Sequence, residues 1–235
     1  MSLRAATIPL MDSPFLPLGH DPLVERLAAV PPAAITVVTA NARLARTVVA
    51  EVDRAQLAAG RKSWEAPDVL PWDAFLKRCH EEALYAPEAG EPLPRLLTAA
   101  QERLLWEEAV GASSWHDLLS VGAAAALASQ GWELAHAWRL EGVVEAEGAS
   151  EEARAFAAWC AHYRRRTRRD HLVDTARLPA LLAARFASGA ARPPATLVAY
   201  GFDLLTPQQG DFLAACARAG KRAVSTRWSR RVRRR

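Results

Sequence analysis

The chain has 235 residues, of which 51% are hydrophobic and eight are tryptophan, and its formal net charge is +4 at pH 7. This is enough sequence to bury the core of one large domain or two small ones. No run of eighteen apolar residues is present and the first residues lack the apolar core of a secretory signal, so we expect a cytoplasmic protein with no membrane partner.

The first strand–loop–helix of the chain is predicted within residues 34–59. Residues 1–33 are proline-containing and predict a loosely ordered leader, and Pro31-Pro32 prevents a helix from entering the segment that follows. The β-branched run Ile35–Thr39 is typical of a buried strand. Apolar residues then recur every four positions, which predicts an amphipathic helix packed on a sheet: Leu44, Val48 and Val52.

The loop between this strand and helix occupies the position of a phosphate-binding loop. It reads Ala40-Asn41-Ala42, with no glycine and no Lys-Ser/Thr pair. Glycines allow the backbone to approach a phosphate, and the lysine balances its charge. The sequence therefore predicts a site that is phosphate-loop-like in position and degenerate in chemistry.

The middle of the chain is predicted to be mostly helical, with boundaries indicated by capping residues. The predicted elements are a short strand Asp68–Pro71, a helix Trp72–Tyr85, a helix from the Thr98/Gln101 capping box to Val110, a helix Trp115–Gln130 capped by Ser114, a short helix after Gly131 to Leu140, a helix from Ser150 to about Arg169, and a last helix capped by Asp174 that runs through Phe186.

Basic residues are concentrated in two places. Residues 227–235 hold six arginines and no acid, and five more lie in the cluster at 164–169, so the rest of the chain carries −7. Clustered arginines neutralise nucleic-acid phosphates, which makes Arg164, Arg165, Arg166, Arg168 and Arg169 candidate DNA contacts. The alternative for this cluster is a solvated last helical turn, where cations also complement the helix dipole.

A second strand–loop–helix lies at Thr196–Leu213. The apolar run Leu197–Tyr200 ends at Gly201, and Thr206-Pro207 with Gln209 forms a capping box that opens a helix. The loop carries Phe202 and Asp203, and the carboxyl end of a buried strand is where open α/β sheets bind ligands.

Together the two units, at Ile35–Arg46 and Tyr200–Gln209, resemble the first motor domain of superfamily 1 helicases in the inactivated form found in AddB-type, RecB-family helicase–nuclease subunits. The resemblance covers most of residues 34–226. An active motor would carry Asp-Glu at the end of the second strand, where this chain has Tyr200-Gly201.

The resemblance implies an α/β fold with a parallel-sheet, P-loop NTPase-like core at 34–85 and 195–226 and a helical insertion at 86–194. It implies a module of a DNA-repair helicase–nuclease that is not catalytic alone and that guides single-stranded DNA or scaffolds a motor partner subunit. It also implies degenerate nucleotide-site positions at Thr39, Asn41, Arg43, Arg46, Phe202 and Asp203, and a nuclease domain that would lie beyond residue 235.

The remaining chemistry predicts neither a metal site nor a cofactor. The six histidines lack the spacing of metal ligands. The three cysteines are widely scattered, so we expect them to be buried, reduced thiols. The segment Lys221–Thr226 reads as a further strand, and the arginine-rich residues 227–235 after it suggest a frameshifted or truncated gene end, or alternatively a basic arm that binds nucleic acid.

Two other functions remain open from the sequence. One is a divergent NTPase that binds nucleotide through Asn41, Arg43 and Asp203. The other is a helical interaction protein whose arginines meet an acidic partner.

Overall fold

A computed structural model describes residues 16–17, 20–29, 35–85, 92–113, 120–144, 150–219 and 222–226. They form two compact units. The first unit contains the described parts of Met1–Trp72, Pro193–Asp203 and Cys216–Arg235, and the second contains those of Asp73–Arg192 and Leu204–Ala215. The fold is α/β, as the sequence predicts.

The first unit contains a parallel sheet of five strands. They are β1 (Leu16–Pro17), β2 (Thr36–Thr39), β3 (Val69–Pro71), β6 (Thr196–Tyr200) and β7 (Arg222–Thr226). Their order across the sheet is β1-β7-β6-β2-β3, and every neighbouring pair is parallel. The strands that the sequence predicts at 35–39, 68–71, 197–200 and 221–226 are therefore confirmed to within one residue at each end.

Two helices cover the sheet of the first unit, α1 (His20–Ala29) and α2 (Ala42–Ala58). Their apolar residues pack with those of β2 and β6 in one aliphatic core, which includes Leu23, Leu27, Val37, Val48, Val52 and Val198. Residues 20–29 form a helix within the leader that the sequence predicts to be loosely ordered, because Leu23 and Leu27 supply a second apolar helix face that the sheet can bury.

The second unit is mostly helical. Its helices are α3 (Trp72–Leu84), α4 (Ala99–Gly111), α5 (Val121–Trp138), α6 (Glu141–Val144), α7 (Glu151–Arg169), α8 (Leu178–Ala187) and the first part of α9 (Pro207–Ala219). The short strands β4 (Arg95–Leu96) and β5 (Leu172–Val173) pair in parallel. This unit begins at Asp73 and includes 204–215, and is therefore larger than the predicted insertion at 86–194.

Helix α5 differs from the prediction. The sequence predicts a break at Gly131, but α5 continues through it to Trp138. A Cβ at Gly131 would lie 2.9 Å from the Phe156 ring, so glycine there allows close packing against an aromatic ring and does not end the helix. The N-cap of α5 is Ser120, whereas the predicted cap Ser114 and first residue Trp115 lie outside the described residues.

The other predicted caps agree more closely with the structure. Thr98 and Gln101 form both hydrogen bonds of a capping box, and Ser150 accepts a hydrogen bond from the Ala153 amide. Helix α8 begins at Leu178, one turn later than a cap at Asp174 predicts. The Asp174 side chain accepts a hydrogen bond from the Arg177 amide, in the turn that precedes the helix.

All three cysteines are buried free thiols, as predicted: Cys79, Cys160 and Cys216. Burial raises the pKa of the Cys216 thiol to about 12, which keeps it protonated and unreactive at neutral pH. No helix within the described ranges is long and apolar enough to cross a bilayer.

Candidate functional site

The two loops that the sequence singles out follow neighbouring strands. Strand β2 leads to β3 on one side of it, whereas β6, on the other side, leads to β7. The direction in which the chain fills the sheet therefore reverses between β2 and β6, and open parallel sheets bind ligands at such a switch point. Thr39 pairs in register with Tyr200, so both loops begin at the same edge. We call residues 40–46 and 201–203 the switch-point site.

The loop after β2 is held by its own side chains. Thr39 is fully buried, and its hydroxyl lies 2.9 Å from the carbonyl oxygen of Asn41, to which it donates. Asn41 is the N-cap of α2, and its side-chain oxygen accepts a hydrogen bond of 3.0 Å from the Leu44 amide. Asn41 therefore satisfies one of the free backbone donors in the first turn of α2, the Leu44 amide, which a phosphate-binding loop would leave for the ligand.

The loop after β6 packs on this same turn. Gly201 has φ +73°, and a Cβ built on it would lie 2.6 Å from Cδ1 of Leu44. Only glycine adopts this backbone conformation without strain and allows so close an approach. Sequence reasoning recognised Gly201 as the end of a strand but not as the contact between the two loops.

The remaining predicted positions at this site differ in exposure. Phe202 is buried, and its ring meets the ring of Trp72 edge-on with 6.0 Å between centroids. Asp203, Arg43 and Arg46 are exposed. The site thus presents cationic side chains on α2 and one carboxylate after β6 to solvent, over an interior that is closed by hydrogen bonds and apolar contacts.

A hydrogen-bonded chain that the sequence does not reveal lies beside the site. The Tyr200 hydroxyl is 2.8 Å from Nδ1 of His20, and Nε2 of His20 is 2.7 Å from the Glu51 carboxylate. Burial, followed by the negative charges of Glu51 and Asp21, raises the pKa of Tyr200. The phenol therefore stays protonated, and the hydrogen-bonded chain links α1 and α2 to β6. No local pattern could have found it, because His20 and Tyr200 are 180 positions apart.

The arginine cluster on α7 divides into two sets. Arg166 forms ion pairs with Glu108 and Asp170, and the Arg164 guanidinium lies 5.5 Å from the centre of the Trp132 ring. These two are engaged within the second unit.

The other three arginines are exposed, and Arg154 lies on the same helical face about three turns or more before them. Of the four, Arg169 also contacts the Asp170 carboxylate at 3.0 Å. We call this surface the α7 stripe: Arg154, Arg165, Arg168 and Arg169.

Fold and site together define an α/β protein with a parallel sheet. At the switch point of this sheet, Asn41 in the loop after β2 caps the helix that follows. No family model matches the sequence, and no curated protein matches it. Within the described ranges, no group of three or more histidine, cysteine, aspartate or glutamate side chains could hold a metal ion.

Proposed function

We propose that this chain is a non-catalytic, helicase-like module of a DNA-repair helicase–nuclease, and that it binds single-stranded DNA. The observation that carries the proposal is the hydrogen bond from the Leu44 amide to the Asn41 side chain. It occupies one amide of the first helical turn at the position where a motor domain of this kind would hold nucleotide phosphates. The module would therefore keep the motor architecture without its chemistry.

Two further features at the switch-point site support a loss of hydrolysis. The loop after β2 contains no glycine that would allow its backbone to approach a phosphate. After β6, the side chain at 202 is an aromatic ring buried against Trp72, and Asp203 is exposed. A magnesium–phosphate site relies on carboxylate oxygens fixed at a strand end, and this arrangement provides one exposed carboxylate instead.

The α7 stripe is the surface that best fits a nucleic-acid backbone. Its arginines project from one helix face, and the eleven positions from Arg154 to Arg165 span about 16 Å at the rise of an α-helix. Exposed guanidinium groups can bind phosphates and release their counterions. Arg164 instead contacts the Trp132 ring, and Arg166 forms ion pairs with carboxylates. Binding should therefore depend on exposed arginines and little on those two.

The test is the salt dependence of binding to a fluorescein-labelled oligothymidylate, measured by anisotropy. We expect the full chain to bind, and the triple variant R165Q/R168Q/R169Q to bind more weakly. Each lost single-strand phosphate contact lowers the slope of log affinity against log salt by about 0.7, so the triple variant should lose about 2.

A matched control removes the same charge elsewhere. Arg54 and Arg103 have side chains exposed by 71% and 72%, and Arg61 is also exposed, so R54Q/R61Q/R103Q makes an equal change outside α7. Equal losses in both triple variants would show that net charge alone drives binding and would overturn the α7 assignment. Absence of binding at low salt would overturn the DNA-binding function itself.

Magnesium–ATP provides the opposing test. Ligand binding to the folded state raises the melting temperature, so we expect no change at millimolar magnesium–ATP. A stabilisation that R43Q abolishes would instead support a divergent NTPase at the switch-point site.

A further inference from the structure

The core of the second unit contains a buried ion pair. The Asp174 carboxylate is fully buried and accepts hydrogen bonds from the Arg177 amide at 2.9 Å and from its Nε at 2.7 Å. The same guanidinium donates to the Thr167 hydroxyl at 3.0 Å. Asp174 and Arg177 therefore form an ion pair in which the carboxylate is fully buried and the arginine side chain is 18% exposed.

Aromatic rings fix this ion pair in place. The Arg177 guanidinium lies 5.4 Å from the centre of the Trp132 ring and 5.6 Å from that of Tyr163. Tyr163 in turn stacks on Trp106 at 4.1 Å, with the two rings nearly parallel. Because these rings are almost completely buried, Arg177 has little freedom to turn toward another carboxylate.

A second carboxyl group faces the same cluster without a cation of its own. Glu102, on α4, is only 9% exposed, and its Oε1 has no hydrogen-bond partner. The negative charge of Asp174 and that of Glu133, which lies on α5, both act on it. The cluster therefore holds more carboxyl groups than its arginine can balance, and an ionised Glu102 would be a buried charge that its surroundings offset only in part.

We propose that Glu102 is a proton switch of the helical unit: its carboxyl is neutral in the packed state, and its ionisation destabilises the packing of α4 against the Asp174–Arg177 pair. This inference goes beyond the proposed function and does not depend on DNA or nucleotide binding. It makes the stability of the helical unit depend on the protonation of Glu102.

The electrostatics of the cluster agree with this assignment. Burial, then Asp174, then Glu133 raise the pKa of Glu102 to about 7, and Trp106 and Arg177 only partly offset them. Because the pKa is higher in the folded state than in the unfolded state, folding retains a proton between about pH 4.5 and 7. Stability therefore falls as pH rises through that interval, and the loss persists above it.

The other titratable groups around the cluster do not supply the missing cation. His136 on α5 has a pKa lowered by burial, so it is neutral at neutral pH. Burial and the neighbouring carboxylates Asp174 and Glu102 raise the pKa of Tyr163 on α7, which keeps its phenol neutral. Arg164 on α7 lies over Trp132 at 5.5 Å.

The experiment compares the full chain with E102Q, which preserves shape and removes the titration. The unfolding equilibrium constant of each protein is measured in urea from pH 4.5 to 9. The ratio of the wild-type constant to the E102Q constant should rise by up to about tenfold per pH unit below pH 7 and then level off. The control is E107Q on the same helix, where Glu107 pairs with Arg103 and is 35% exposed, and its ratio should stay flat.

A direct titration keeps the proposal testable if E102Q does not fold. The carboxyl carbon resonance of Glu102, assigned in the wild-type protein, should titrate near neutrality and well above the ordinary range of glutamate. A resonance that titrates near pH 4.5, or identical pH dependence in wild type and E102Q, would overturn the proposal.

Discussion

The two units of this protein have cores of opposite character. The sheet unit buries mainly aliphatic side chains, such as Val37, Val48 and Val198. The helical unit buries stacked aromatic rings around charged groups, with Asp174 fully buried among them. The core of the sheet unit therefore depends mainly on the spacing of apolar residues, and the core of the helical unit depends also on the pairing of its buried polar groups.

This difference has an energetic consequence. Hydrophobic burial is non-directional and scales with area, so an aliphatic core loses stability in proportion to the atoms removed. A buried ion pair behaves differently, because removal of one partner leaves the other charged and desolvated. We therefore expect the helical unit to respond to single polar substitutions and to pH far more sharply than the sheet unit.

The largest effect is expected for D174A. It leaves the Arg177 guanidinium, on a side chain that is 18% exposed, against Trp132 and Tyr163 with the Thr167 hydroxyl as its remaining side-chain acceptor. Loss of one partner of a buried pair costs about 3–5 kcal/mol. Denaturant unfolding followed by tryptophan fluorescence, to which Trp106 and Trp132 contribute, would measure the loss.

The control for D174A is D211A, which breaks the ion pair between Arg139 and Asp211 in the same unit. Those side chains are 45% and 64% exposed, so the change should cost less than about 1 kcal/mol. Similar losses for both variants would contradict the idea that the polar core, and not charge pairing in general, stabilises the helical unit.

The next largest effect is expected in the sheet unit, for G201A. Alanine at a positive φ costs about 1 kcal/mol, and here its Cβ would also approach Leu44 to 2.6 Å. We expect a total of about 2–3 kcal/mol, measured by thermal unfolding. G60A has nearly the same φ, +74°, with nothing within 4 Å, and should lose only the conformational part. Equal losses at the two glycines would show that the loops do not pack as described.

The contrast between the cores also explains what the sequence could predict. The strands at β2 and β6 and the capping boxes at Thr98 and Thr206 depend on residues within a few positions of one another. Local rules therefore predicted them, and the structure agrees. The candidate loops were predicted as loops at strand ends for the same reason.

The features that sequence reasoning missed all depend on distant residues. The adjacency of β2 and β6, which makes the two loops one site, is a property of sheet order. Glu102 meets Asp174 only because α4 packs beside the segment that precedes α8, and its spacing alone matches an ordinary exposed residue in a first helical turn. Gly131 was read as a break because an isolated glycine does not reveal the Phe156 ring against it.

The smallest effect is expected for N41A, at the cap of α2. Its loss removes the hydrogen bond to the Leu44 amide and should cost about 1 kcal/mol, measured by thermal unfolding. N41D keeps the acceptor and should lose little, so a loss equal to that of N41A would contradict the capping role. N41G tests the degenerate loop more directly, because it restores both backbone freedom and a free amide. Stabilisation of N41G, but not of wild type, by millimolar inorganic phosphate would show that this one side chain closes an anion site.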